Sequence, residues 1–336
     1  MNQGKKHFAP VLTLMLLAPL IAEILPGSTR FSSLFVLPIE ILVWGGGAVL
    51  IRDAVRRRQL GWMNMLLLGL ALSVAEEFLI QQTSLAPMVI RIKGLTYARA
   101  FGLNYVYFLW ALIYESVFVV FLPVYLTEIL YPNRSRAPWT GKAGRIVFFI
   151  LFLTGSFLAW YSWTRIARPA VFHVPAYNPP LVHLIIGVTM IGLLVIAALC
   201  PQLVRTSQPV EGWNPPRGWT LGISGALWAV ILYGIVLLAF GILPPFPPAL
   251  AIITGLLLAI GAIFLVPKWS AGNRWTQIHT FSLIAGVITG SMLAGFIGFI
   301  GAATADLYFK IIINLVAILS LFLLGKWIIN TTNQYG

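Results

Sequence analysis

Ten apolar runs, each near the ~20 residues a helix needs to cross the hydrocarbon core of a bilayer, divide this 336-residue chain from end to end. They lie at about 8–25, 31–52, 62–83, 103–130, 144–165, 179–200, 219–241, 246–266, 276–301 and 306–328. In hydrocarbon a backbone N–H or C=O has no water to bond, so runs of this length satisfy themselves as helices. The expected fold is all-α: a polytopic transmembrane helical bundle of about ten helices. Punctuation agrees, with Pro26-Gly27-Ser28, Asn178-Pro179-Pro180, Asn214-Pro215-Pro216 and Pro244-Pro245-Phe246-Pro247-Pro248 between runs. Proline suits the first turn of a helix, so the two Asn-Pro-Pro triplets are expected to open helices six and seven.

Only 9% of residues are charged, against about 25% in soluble domains, and mean hydropathy is +0.91. The net charge of +13 resembles that of a nucleic-acid binder, but the bases are scattered through short connections, as in membrane-protein loops. The expected partners are therefore the lipid bilayer and a small-molecule or ion substrate, with no nucleic acid. Cys200 is the only cysteine, which excludes an intrachain disulfide and a zinc site of paired cysteines. Lys5 and Lys6 precede the first run as they would in a signal peptide. That run is long and has no A-x-A-like cleavage site after it, so it is expected to persist as helix one.

Fifteen lysines and arginines fall on one side of the alternating connections and seven on the other. The excess marks the cytoplasmic side and places both termini there, as an even number of crossings requires. The expected location is the cell (plasma or inner) membrane. Residues 1–215 are expected to form a six-helix part carrying a polar site. Residues 216–336 form a four-helix, glycine-rich scaffold within the same membrane unit. There Gly286, Gly290, Ala294, Gly298 and Ala302 recur at four-residue intervals, and Ala251, Gly255 and Ala259 do so more briefly. Small residues at that spacing let helices approach closely in lipid.

Acidic residues inside the early runs stand out, because a carboxylate at membrane depth costs about 2.5–3.5 kcal/mol on insertion scales. Glu40, Glu76 and Glu77 are expected about 12 Å below the outer surface and Glu115 at about 18–20 Å, by the helical rise. Ser73, Glu77, Gln81 and Ser84 form one stripe on helix three, and Asn104 and Glu115 share a face of helix four. Carboxylates crowded in a low-dielectric setting hold protons or share a cation. The candidate substrate, proton or cation site is therefore Glu40, Glu76, Glu77, Gln81, Asn104 and Glu115. His183, in helix six, is a candidate metal ligand beside Glu76 and Glu77 if a divalent cation is the cofactor; a solvent-facing or satisfied histidine is its other reading. Gly45-Gly46-Gly47 below Glu40 are expected to loosen helix two. Glu23, Glu128 and Asp306 sit at helix ends, where headgroup contact accounts for them. Arg91, Lys93 and Arg99 lie in an interfacial or re-entrant segment between helices three and four, placed either to draw an anionic substrate or to snorkel to headgroups.

Ala75-Glu76-Glu77-Phe78-Leu79-Ile80-Gln81 resembles the glutamate-pair helix of the CPBP (CAAX-protease and bacteriocin-processing) intramembrane family. In that family a Glu-Glu-x-x-x-Arg helix precedes one bearing Phe-x-x-x-His. Here Gln81 holds the arginine position, and Glu115 stands about where the histidine falls. The resemblance implies Glu76 and Glu77 as water-activating or metal-binding acids. The first 145 residues also look like uncharacterised bacterial multi-pass membrane proteins, which implies a cell-membrane location. Three functions are thus in view: a proton- or cation-coupled transporter-like protein, an intramembrane metal-dependent hydrolase, and a non-catalytic membrane scaffold.

Overall fold

A computed structural model describes residues 3–87, 97–200, 212–242 and 246–335. Arg91, Lys93, Arg205, Pro244 and Pro245 lie outside the described residues. The ten apolar runs all appear as helices: α1 (Phe8–Ile24), α2 (Phe31–Arg57), α3 (Trp62–Ile80), α4 (Tyr105–Leu130), α5 (Lys142–Val171), α6 (Leu181–Leu199), α7 (Gly218–Phe240), α8 (Pro248–Ser270), α9 (Gln277–Phe299) and α10 (Thr304–Thr331). Among the described residues nine of them are long and apolar enough to cross a membrane, and α1 is the shorter tenth. Between α3 and α4 a two-residue antiparallel pairing joins β1 (Arg99–Ala100) to β2 (Leu103–Asn104).

The helices do not share burial equally. α3 and α4 are the most enclosed, whereas α5, α6, α8 and α10 present mostly apolar surface outward, as lipid-facing helices do. One continuous core joins Leu14 of α1, Trp44 of α2, Met65 of α3 and Phe118 of α4 to Leu232 of α7 and Ile288 of α9. Both parts of the chain therefore pack into a single interior. The Asn-Pro-Pro triplets lead into α6 and α7 rather than forming their first turns. Helix begins at Leu181 and Gly218, and Pro180 is extended at ψ 143°.

Close approach explains Gly45, the first of the glycine triplet of α2, while the helix widens to a π turn over Ile41–Gly45. Pro19 has no N–H to give the Met15 carbonyl four residues earlier, and Gly45 sits against that freed oxygen: a Cβ at residue 45 would lie 2.4 Å from it. The long stripe of α9 works the same way against α7. A Cβ on Gly286 would lie 1.9 Å from the Gly222 carbonyl oxygen, so the two backbones touch inside the chain. Gly298 has nothing within 4 Å of such an atom, so the seam stops before the stripe does.

One end of the bundle is closed by charge. Arg52 is fully buried; its Nε bonds to Glu128 at 3.0 Å, and its terminal nitrogens bond to the carbonyls of Arg134, Ser135 and Ala137. Its guanidinium also lies 3.3 Å from the centre of the Trp139 ring. Arg56 grips both oxygens of Glu128 at 2.7 Å, and Arg57 pairs with Asp53. Glu128 is thus an ion-pair partner, not a headgroup contact. Asp306 likewise accepts from the backbone N–H and hydroxyl of Ser32.

Candidate functional site

Each of the first four helices changes pitch at its acid. π-helical turns occupy Leu20–Ile24, Ile41–Gly45, Glu76–Ile80 and Glu115–Phe121. Glu23 lies in the first, Glu40 immediately precedes the second, Glu76 and Glu77 open the third, and Glu115 opens the fourth. A π turn spends one extra residue, so it re-aims side chains and tends to occur where function needs an irregular face. Pro19 and Pro123 flank two of these turns, where a missing N–H breaks the i→i−4 ladder.

The altered pitch redistributes the stripe expected on α3. The helix ends at Ile80, and Gln82 takes a left-handed φ of 60° that turns the chain back. Ser84 then donates both its N–H and its hydroxyl to Glu77 Oε2. The Ser84 carbonyl accepts from the Asn104 N–H at 2.8 Å, and Asn104 Oδ1 caps α4 by accepting from the Tyr107 N–H at 2.9 Å. Glu77, Ser84 and Asn104 therefore tie the end of α3 to the start of α4. Gln81 is half-buried where α3 unwinds, its N–H bonded to the Glu76 carbonyl.

Glu76 is different: it is 2% exposed and neither carboxyl oxygen has a hydrogen-bond partner. Glu115 is also buried, with Oε2 unpartnered. Buried Glu40 accepts the Thr29 hydroxyl on Oε1 and leaves Oε2 unpartnered. Glu23 accompanies them: its Oε1 is 3.0 Å from the Tyr114 hydroxyl. Electrostatically the carboxyls form one group. Glu23 lies in Coulombic range of Glu40, Glu76 and Glu115, and Glu115 in range of both Glu76 and Glu77. Four helices thus bring five glutamates to one neighbourhood.

An aromatic wall bounds it. Trp110, Tyr114 and Phe118 stack at four-residue intervals along α4, with centroids 4.5 and 5.4 Å apart. Tyr233 of α7 meets all three edge-on. The Trp44 and Trp110 indole N–H groups are buried in the same core without partners, and the buried Tyr233 hydroxyl pairs with that of Tyr114. The second part of the chain, expected to be scaffold, so contributes Tyr233.

His183 does not join the carboxyls. Its Nε2 pairs with the Phe101 carbonyl at 2.8 Å, and among the described residues no three His, Cys, Asp or Glu side chains are placed to hold a metal ion. The expected His183, Glu76 and Glu77 metal group does not assemble, because the β1–β2 turn claims the imidazole. Near it, Arg99 spends its guanidinium on the carbonyls of Leu85, Ala86 and Gly102. Burial draws that guanidinium's pKa below its ordinary value.

Sequence reasoning missed Glu23, Tyr114 and Tyr233. For Glu23 a signal existed: prolines at 19 and 26 bracket it, and each deprives a carbonyl of its helical donor. Tyr114 carried none, since aromatic residues crowd α4 throughout, and Tyr233 stands in α7, which holds no charged residue.

Among the described residues, nine membrane-length apolar helices around a buried polar interior define a class, the multi-pass integral membrane proteins. Within it, no family model, no curated protein and no solved structure matches this chain.

Proposed function

We propose that this protein handles protons or a small cation within the membrane, as a proton- or cation-coupled transporter of the cell membrane with both termini inside. One observation carries the reading: the Glu76 carboxyl is buried beside Glu77 and in range of Glu115 and Glu23, with no hydrogen bond to either oxygen. An ionised carboxylate so placed is costly. Taking up a proton or a cation removes that cost, and giving it up restores it. Glu76 and Glu115 are the loading pair, while Glu77 is held by Ser84. That hold on Glu77 favours a carrier over a hydrolase, which needs both acids of the pair on one water or metal.

The test uses full-length protein in proteoliposomes loaded with a pH-sensitive dye under an imposed potassium diffusion potential. Proton uptake should be present in the wild type and lost in Glu76→Gln. Uptake that persists unchanged in Glu76→Gln defeats the reading.

A further inference from the structure

Hydrogen-bond bookkeeping at Glu23 yields a result that rests on the proton-handling reading and extends it. Ala22 and Glu23 lie in the π turn that ends α1. The Ala22 carbonyl would ordinarily accept from the residue four positions on, which is Pro26 and has no N–H. The next N–H, that of Gly27, is bonded to the Glu23 carbonyl instead, as is that of Thr29. The donor that reaches the Ala22 oxygen is the Tyr114 hydroxyl, which also lies 3.0 Å from Glu23 Oε1.

A phenol carries one proton, and a carbonyl can only accept. While Tyr114 serves Ala22, the hydrogen between Tyr114 Oη and Glu23 Oε1 must come from the carboxyl. Glu23 is then protonated and donates to Tyr114. When that proton leaves, the Tyr114 O–H turns onto the carboxylate, and the Ala22 carbonyl goes without until the carboxyl is reloaded. Only O–H bonds change, and the proton count balances.

Position gives the pair a role. Glu23 is half-buried, while Glu40, Glu76, Glu77 and Glu115 are all buried. The titratable groups facing it are Glu40 from α2, Glu76 from α3, Tyr107, Tyr114 and Glu115 from α4, and Tyr233 from α7. The nearby cations are turned elsewhere, Arg30 to the Gly298 carbonyl and Lys310 to the Leu25 carbonyl. An independent feature points to the same spot. The Tyr233 hydroxyl is buried beside Glu23 and Tyr114, on a residue 7% exposed, and shares a hydrogen bond with the Tyr114 hydroxyl.

We propose that Glu23 is a proton-holding residue of this site, the member through which protons reach the buried carboxyls, and that Tyr114 is the positioning residue that orients its proton. The experiment is infrared difference spectroscopy, between acidic and alkaline buffer, on the full chain in proteoliposomes. The same preparations are assayed for dye-reported proton uptake. A protonated-carboxyl band should vanish in Glu23→Gln and move to higher frequency in Tyr114→Phe, where its hydrogen-bond acceptor is gone. Uptake should fall at least tenfold in Glu23→Gln. Tyr114→Phe keeps the ring stack and so remains informative should Glu23→Gln fold poorly. A full wild-type carboxyl spectrum in both variants overturns the inference. If Glu76→Gln abolishes uptake while Glu23→Gln retains it, the role of Glu23 falls and the transporter reading stands. If Glu76→Gln retains uptake, the transporter reading itself fails, whatever the spectra show.

Discussion

Arg52 and Glu128 meet at 3.0 Å across the α2–α4 boundary, at the end of the bundle away from the acidic site. Glu128 is the one acceptor shared by Arg52 and Arg56. Removing it leaves Arg52 buried with no anion, held only by carbonyls and the Trp139 ring, and breaking a buried pair in this way typically costs about 3–5 kcal/mol. Glu128→Ala should lower unfolding stability by that order in detergent denaturation. Arg56→Ala should cost less, because the Arg56 side chain is 19% exposed and Arg52 remains on Glu128. Equal losses from the two substitutions contradict the arrangement.

The α7–α9 seam gives a paired test. Gly286→Ala pushes a methyl group into the Gly222 carbonyl, a backbone atom that cannot rotate away. Overpacking of this kind costs about 1–3 kcal/mol. Gly298→Ala, on the same stripe, meets open space and should stay within about 0.5 kcal/mol of the parent. Thermal unfolding of the two variants separates them, and a destabilised Gly298→Ala contradicts the account.

These two cases show where sequence reading reaches and where it stops. The helices were legible because bilayer thickness sets their length, and each of the ten runs became a helix within a few residues of its expected ends. The burial of Glu40, Glu76, Glu77 and Glu115 inside the bundle follows from their places within those runs. Their surroundings were not legible. In helices apolar on every side, no hydrophobic face marks where the pitch widens, so the π turns at Glu76 and Glu115 leave no periodic trace. The Ser73–Ser84 stripe assumed a uniform 3.6-residue repeat and failed where the repeat changed. Partners far apart in the chain, such as Arg52 with Glu128 or Glu23 with Tyr114, are set by packing that a single sequence does not express. For His183 the reading as a satisfied histidine holds and the metal-ligand reading does not, since its Nε2 pairs with the Phe101 carbonyl in the β1–β2 turn.

Glu77 and its neighbours distinguish anchoring from proton handling. The Ser84 hydroxyl bonds to Glu77, and hydrogen bonds to charged groups are worth about 1.5–3 kcal/mol. Ser84→Ala should therefore lower the melting temperature while proteoliposomes still take up protons. Gln81→Ala, at the half-buried end of α3, should change neither. Loss of uptake in Ser84→Ala at intact stability would return Glu77 to the loading set.

The chain's single cysteine offers a test of orientation. Cys200 is partly exposed at the end of α6, and Phe101, 99% exposed, sits in the turn before α4. Three helices, α4, α5 and α6, separate the two positions, so they belong on opposite faces of the membrane. In the proposed orientation, with both termini inside, the Cys200 face is the inner one. A membrane-impermeant maleimide should leave Cys200 unlabelled in intact cells and label it after permeabilisation. In a Cys200→Ser background, Phe101→Cys should label at once in intact cells. The reverse pattern would place the termini outside and make the acidic site open inward. Labelling of both positions from one face would break the three-crossing topology itself.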